Sequence, residues 1–508
     1  MTQALPAGLA ALWSHPALAP ALAAARDLAR DRRLPAVLVG GAVRDAWLGR
    51  PIHDLDFAVQ GNAVDLARAV ANRLGGDFYI MDDERGTARV LLAPPAPPPG
   101  GAGQPGARLV LDFAACRGAT WDEDLFARDF TVNALAVRLA DGALLDPTGG
   151  QADLARRVVR QARLGAIHDD PVRALRAVRL GLALGAEIEP DTLAAARAAA
   201  TRLDQTSPER ARDEFMTLLA RADASRAARQ LDALGLLAAL VPEVEPLRTC
   251  QQSAPHRFDA LEHTLVVLDA LDAILAAIES GAEPLAAWRM PVSEAHRARL
   301  AAHLSAVGAG GRTRAAVFRL SVLLHDCGKP ATRTVDPAGN AHFYGHAEAG
   351  AALAAARAGA LRLSGDEIRW ARLTVLHHMR PNLLARQGEL TPRAIFRLAR
   401  DVGDCLPELA LLCVADGMGK AGELTRAEDR ERRGSAASVL IERYYDRLAS
   451  GVAPPPLIDG HDLLNLGLPP GPRIGQILEA VREAQAAEEI ATREDALRLA
   501  RSLLDTAA

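Results

Sequence analysis

The sequence predicts an α+β chain with a mixed sheet confined to about the first 150 residues and helices filling the remainder. Two observations carry this. Near the start, stretches such as Asp54-Leu55-Asp56-Phe57-Ala58-Val59 alternate polar and apolar residues, the period of a strand. Further on, Ala/Leu/Arg runs recur at helical spacing, and aromatic residues make up only 4% of the chain, too few for a second large sheet. At 508 residues the chain exceeds one ordinary domain.

Taken in order, residues 1–34 read as one or two helices that enter the first strand through Pro35. Residues 35–150 hold the predicted strands and read as one mixed-sheet region. Val37 to Val39 is a short strand, and Gly40-Gly41 lets the backbone turn tightly and approach a ligand. Ala42 to Leu48 then makes a short helix closed by Gly49, whose first N–H groups favour phosphate. In the next strand Asp54 and Asp56 share one face. Two carboxylates beside a phosphate-binding turn suit Mg²⁺ held against a nucleoside triphosphate. Ala88 to Leu92 and Arg108 to Asp112 read as paired strands, separated by a Pro/Gly/Ala tract from Ala93 to Ala107 that suits a hairpin tip. Asp112, in the strand Leu109 to Ala114, is either a third carboxylate of the metal site or a plain strand-edge acid.

A second stretch, Ala127-Arg128-Asp129-Phe130-Thr131-Val132-Asn133-Ala134-Leu135, offers a cation, a carboxylate and an amide. These groups suit phosphate neutralisation and a hydrogen bond to a ribose hydroxyl, although an ordinary helix start capped by Asp129 gives the same pattern. The turn Asp146-Pro147-Thr148-Gly149-Gly150 hands over to a helical neck, residues 151–250. There Asp170 takes a cap position before Pro171, and Arg173, Arg176 and Arg179 recur every three residues along one helix side.

Net charge is −4, so the global balance does not suggest a nucleic-acid partner. The local distribution does. Arg156, Arg157, Arg160, Arg163, Arg173, Arg176 and Arg179 share a span whose only acids are Asp169 and Asp170. Five scattered cysteines without a Cys-x-x-Cys pair argue against a disulfide framework or zinc ribbon. No signal-like segment or bilayer-length apolar run is found, so a soluble cytoplasmic protein with no membrane partner is expected.

From residue 255 to about 420 the vocabulary turns to histidine: His263, His325-Asp326, His346, His377-His378, then Asp416. Imidazoles and carboxylates on several helices suit one or two divalent ions in a bundle. The two lysines of the chain, Lys329 and Lys420, follow Asp326 and Asp416 by three and four residues, a placement that suits phosphate beside a metal. Residues 421–508 read as a helical tail with no catalytic pattern.

The head motifs resemble those of the bacterial class II tRNA nucleotidyltransferases and poly(A) polymerases, whose head is a polymerase-beta-like nucleotidyltransferase palm. The resemblance implies that Gly40, Gly41 and Arg44 hold the triphosphate and that Asp54 and Asp56 bind the Mg²⁺ ions, Asp112 remaining a candidate third carboxylate. It implies sugar and phosphate contacts for Arg128, Asp129 and Asn133. The family's usual Arg-Arg-Asp is altered here, Ala127 standing at the first Arg. Asp170 and Arg173 match the pair that selects C and A by contacting the base edge, with Asp169 in place of the usual Glu, and Arg176 and Arg179 match nucleotide-contacting arginines. Ser207-Pro208-Glu209-Arg210 with Glu214 matches a last, structural motif. The histidine set resembles HD-type phosphohydrolases, implying His263, His325, Asp326, His346, one of His377 and His378 (His377 favoured) and Asp416 as ligands of Ni, Mn, Fe, Co or Mg. Together these imply addition of CCA, or part of it, to tRNA from CTP and ATP. A poly(A) polymerase, a mainly HD-type phosphohydrolase and a pure RNA-binding protein are the rivals.

Overall fold

The computed structural model describes residues 7–93, 108–254, 256–282, 290–388, 390–420, 426–448 and 456–505. Most of the Ala93–Ala107 tract, from residue 94 onward, thus lies outside the described residues. The chain divides into two compact units, one ending at Thr206 and the other starting at Ser207.

In the first unit the helices Ala7–Leu12 and Ala19–Asp31 precede a seven-stranded sheet. Its strands are β1 (Ala36–Val39), β2 (Asp54–Val59), β3 (Asp77–Asp82), β4 (Thr87–Leu92), β5 (Leu109–Ala115), β6 (Ala136–Arg138) and β7 (Leu144–Leu145), ordered β3-β4-β5-β2-β1-β6-β7. All four residues of β1 are buried, as expected for a short, wholly apolar strand covered on both faces. β2 runs antiparallel to β1 and parallel to β5. The crossover between the parallel strands includes the helix Ala63–Leu74, started by the Asn62 side chain, which accepts from the Asp65 N–H. Asp56 pairs with Asp112 and Phe57 with Phe113. The two buried rings stack at 4.7 Å, so a core contact sets the register that aligns the two aspartates.

The Arg128–Asn133 stretch ends in a 3-10 turn, Thr131–Asn133, and its apolar continuation is the strand β6 and not a helix. Downstream, the helix Arg173–Leu184 buries every residue from Ala174 to Leu182 except Arg176 and Arg179.

Among its described residues the second unit is helical apart from a two-stranded hairpin, Thr334–Val335 with Ala341–His342, and an isolated bridge between Val307 and Thr313. Its long helices include Ala260–Ser280, Arg314–Leu324, His346–Ala360, Gly365–His377, Leu406–Met418 and Ala427–Arg443. A buried ion pair ties the bundle together: Arg319 donates to Asp272 at 2.8 Å and to the Leu219 carbonyl, while Asp272 accepts from the Ser225 N–H. The tail helices Gly460–Asn465, Pro472–Ala486 and Arg493–Asp505 share a hydrophobic core of their own around Leu463, Ile477, Val481 and Ala500.

Candidate active site and metal centre

The first site gathers where β1 turns into the helix Gly41–Trp47. Gly40 sits at φ 75°, a conformation glycine adopts without strain, and a Cβ built there would lie 3.1 Å from Asp56 Oδ2 and 3.7 Å from Arg128 Nη1. The turn, the carboxylate and the arginine therefore occupy one small volume. Asp54 lies two residues before Asp56 on the same strand face, and Asp112 lies beside Asp56 in the parallel register. Burial, with the like charges of Asp54 and Asp112, lifts the Asp56 carboxyl from its ordinary 3.8 to about 6. Such a concentration of carboxylates is unfavourable without cations, and an oxygen-only donor set fits a hard divalent ion. Arg89 already answers part of this charge: its Nε and Nη2 each donate to Asp112 at 2.8 Å, so both Asp112 oxygens are engaged.

A chain of hydrogen bonds joins the remaining residues. Arg44 donates to Asp45 through Nε and Nη2 and to Asn133 Oδ1 at 2.6 Å. Asn133 donates to Asp129 Oδ1, which also accepts from the Phe130 N–H. Arg176 closes the chain onto Asp129 Oδ2 at 3.1 Å. Arg128 is held by the buried Asp124, its Nε 3.0 Å from Oδ2. Arg173 lies 3.7 Å from Asp170 and donates to the carbonyls of Ala127, Arg128 and Ala166. It thus fixes the backbone that carries Arg128.

The second site is buried in the helical unit. Asp326 Oδ2 lies 3.2 Å from His325 Nε2, 3.6 Å from His263 Nε2 and 2.6 Å from Lys329 Nζ. Its Oδ1 faces His346 Nε2 at 3.7 Å and His378 Nε2 at 3.8 Å. Asp416 lies 3.3 Å from His263 Nε2 and accepts from Lys420 and the buried Arg433. Burial works to raise the Asp326 pKa, but His325 and Lys329 beside it hold the carboxyl well below the usual range. Each of the four imidazoles places Nδ1 on a backbone carbonyl, of Gly419, Val322, Phe343 or Val375. A carbonyl only accepts, so Nδ1 carries the proton and Nε2 turns a lone pair into the cluster. The Nε2 atoms of His263 and His325 are buried without a hydrogen-bond partner. This donor set fits a divalent metal ion.

The comparisons with known proteins agree over nearly the whole length. The Poly A polymerase head domain matches residues 36–160, the probable RNA- and SrmB-binding region of polymerase A residues 185–247, and the HD domain residues 294–418. An A-adding tRNA nucleotidyltransferase of Deinococcus radiodurans is 34% identical, covering 91% of this chain and 94% of its own length. A CC-adding tRNA nucleotidyltransferase of Geobacter sulfurreducens is 33% identical over 94% of this chain and 95% of its own. This chain belongs to the tRNA nucleotidyltransferase family. The Thermotoga maritima CCA-adding enzyme solved with tRNA shares the fold, with a TM-score of 0.59 at 20% identity, over 96% of this chain and 95% of that one. A CCA-adding enzyme solved with CTP gives 0.61 at 20% identity, over 96% and 98%.

In this nucleotidyltransferase the residues expected at the head converge: Gly40, Gly41 and Arg44 stand at the turn after β1 and in the helix Gly41–Trp47, Asp54 and Asp56 on β2, Asp112 on β5, and Arg128, Asp129 and Asn133 in the 128–133 segment. Asp170, Arg173 and Arg176 join them through the contacts above, and Arg179 continues the same half-buried stripe one turn further on. Of the histidine pair, the favoured His377 is corrected to His378. His378 is buried with Nε2 3.2 Å from that of His346, whereas His377 turns to Arg380. Sequence reasoning missed Arg89, Asp124, Gln252 and Arg433. Asp124 had a signal, since it stands four residues before Arg128 in a helix start; the others meet their partners only through tertiary packing.

Gly40→Ala should test the close approach. At φ 75° and ψ −139° the backbone lies in a region that favours glycine and costs an alanine about 1–3 kcal/mol, and a Cβ 3.1 Å from Asp56 Oδ2 pushes that carboxylate aside. Displacement by a fraction of an ångström lowers the initial rate of nucleotide incorporation about 10- to 100-fold. A near-wild-type rate would show that Asp56 works elsewhere.

Proposed function

We propose that this tRNA nucleotidyltransferase extends the 3′ end of tRNA with C and A residues taken from CTP and ATP, in the cytoplasm, using Mg²⁺ in its head. The observation that carries the reading is the Asp54/Asp56 pair facing the Gly40-Gly41 turn with Arg128 alongside. Two Mg²⁺ ions held by these aspartates would activate the RNA 3′-hydroxyl and neutralise the leaving pyrophosphate. Gly41 and Arg44 clamp the triphosphate, and Arg128, set by Asp124, neutralises a further phosphate. Asp129 and Asn133 accept the sugar hydroxyls, and Asp170, with the N–H groups Arg173 retains beyond its three carbonyl bonds, meets the base edge. Arg176, bonded to Asp129, and Arg179 one turn further on place half-buried guanidinium groups along one helix face, where they would contact phosphate oxygens. Among the described residues no helix is long and apolar enough to cross a membrane. An A-adding and a CC-adding relative match at 34% and 33%, so the assay must read which nucleotides are added.

Purified protein is given tRNA transcripts ending before CCA, after CC, and complete, with CTP and ATP, and the product ends are sequenced. CCA on the first transcript gives the full activity; CC or A alone gives a partial one. Long A tracts on any RNA would mean a poly(A) polymerase, and absence of incorporation would overturn the reading. The imidazole–carboxylate cluster supports a second, phosphohydrolase-type site in the helical unit, separable by Asp326→Asn.

A further inference from the structure

We propose that the open face of the sheet, from Asp112 through Arg89 to Tyr79, seats the growing RNA end, with a base near that 3′ end stacked on the Tyr79 ring. The inference deepens the proposed extension of tRNA and rests on it.

The strand registers build this face. Tyr79 on β3 lies opposite Arg89 on β4, Arg89 opposite Asp112 on β5, and Asp112 beside Asp56 on β2. Residues paired across neighbouring strands share a sheet face, so one row of side chains runs from the edge strand to the carboxylates. The row on the other face is Phe78, Val90, Leu111 and Leu55, the last three of them buried. That row meets the helix Ala63–Leu74, whose Arg68 places Cζ 4.7 Å from the centre of the Phe78 ring. Tyr79 therefore points away from the helix and is 50% exposed, while Arg89 and Asp112 are half-buried.

The direction of in-line transfer decides what crosses this face. The triphosphate is proposed to lie at the Gly40 turn with Arg44 and Arg128, on the β1 side of Asp56. The attacking hydroxyl must approach opposite the leaving pyrophosphate, which is the β5 side. The RNA then continues over β5, β4 and β3. With strands about 4.8 Å apart, Tyr79 stands about 14 Å from Asp56, a span of up to about four stacked bases.

The groups along that path suit single-stranded RNA. Arg89 spends Nε and Nη2 on Asp112 and keeps Nη1 for a phosphate oxygen. Tyr79, Ile80 and Met81 are, among the described residues, the only three consecutive large hydrophobic residues that are all exposed. A tyrosine ring stacks on any base, so it can serve an RNA end whose terminal base changes as it grows. The edge is blunted against a second strand, since the register shifts between Ile80 and Asp82 and an acid stands at each end of β3, Asp77 and Asp82.

The test uses the full chain and a tRNA transcript that the wild type extends, carrying 4-thiouridine at each of its last four positions in turn. Irradiation is expected to join one position behind the terminal nucleotide to the peptide that holds Tyr79. Tyr79→Ala should raise KM for tRNA about 10-fold and leave KM for the added nucleotide unchanged, and Tyr79→Phe should restore the wild-type value. A merely structural role would move both KM values together. An unchanged KM for tRNA in folded Tyr79→Ala would overturn the proposal, and so would crosslinks that avoid β3 at every position. A dimer that Tyr79→Ala breaks, with KM for tRNA unmoved, would give the face to a second copy of the chain. A wild type that adds no nucleotide would remove the extension reading itself, a failure seen before any variant is made.

Discussion

Asp56→Asn is expected to abolish nucleotide incorporation while making the metal-free head more stable at neutral pH. The first half follows from position: Asp56 lies against the Gly40 turn and Arg128, where the triphosphate is proposed to bind, and loss of its charge should lower the rate at least about 10³-fold. The second half follows from the raised carboxyl, near 6 in the fold against 3.8 for the ordinary group. Between those values the folded protein holds more protons than the unfolded chain, so stability falls as pH rises through the window and stays lower above it. The effect amounts to about 2 kcal/mol once solvent screening of a partly exposed group is allowed for. Asparagine carries no such charge. Melting followed at pH 4 and pH 7.5 should therefore show the variant gaining a few degrees over wild type only at the higher pH. Added Mg²⁺ should stabilise wild type and leave the variant nearly unmoved. A variant that is inactive and also less stable at pH 7.5 would mean that Asp56 holds the fold together and that its lost activity says nothing about metal.

Much of the head was legible because its chemistry is local in sequence. Gly40-Gly41 with Arg44, and the alternation through Asp54 and Asp56, need only the periods of a turn and a strand to bring their groups together. Asp112 was legible only as one of two alternatives. Its place beside Asp56 depends on which strand β5 pairs with and in what register, and that is decided by the Phe57–Phe113 stack, a long-range packing event. Arg89, which engages both Asp112 oxygens, reaches it across the β4–β5 ladder for the same reason. In the helical unit the residue types were readable and the phase was not. His377 ends a helix and His378 caps it; which ring enters the cluster depends on how that helix packs, and Val375 anchors His378. The lysines were read as phosphate contacts, yet each is hydrogen-bonded directly to the aspartate it follows. A spacing of three or four residues puts them one helical turn away, so that pairing was within reach of the sequence.

Arg173→Ala is expected to lose both rate and base choice, and the two losses have different origins. The Arg173 guanidinium donates to the carbonyls of Ala127, Arg128 and Ala166, so it pins the segment that carries Arg128 into the triphosphate site. Hydrogen bonds from a charged donor are worth about 1.5–3 kcal/mol each, and losing even the two on Ala127 and Arg128 accounts for roughly a 10²- to 10³-fold fall in kcat/KM. Base choice is a separate matter. Three guanidinium N–H groups are spent on carbonyls, so beside Asp170, 3.7 Å away, Arg173 offers a base only its remaining N–H groups, held with little freedom to turn. Removing it leaves Asp170 to accept either base. Competition between CTP and ATP at a tRNA ending before CCA should show discrimination falling about 10-fold or more, beyond the loss in rate. Arg173→Lys separates the origins. A lysine restores one charge and one or two of the carbonyl bonds, so it should recover part of the rate, but it has no planar fork and should leave discrimination low. If Arg173→Lys recovered rate and discrimination together, the base would be chosen elsewhere and Arg173 would act only by holding Arg128.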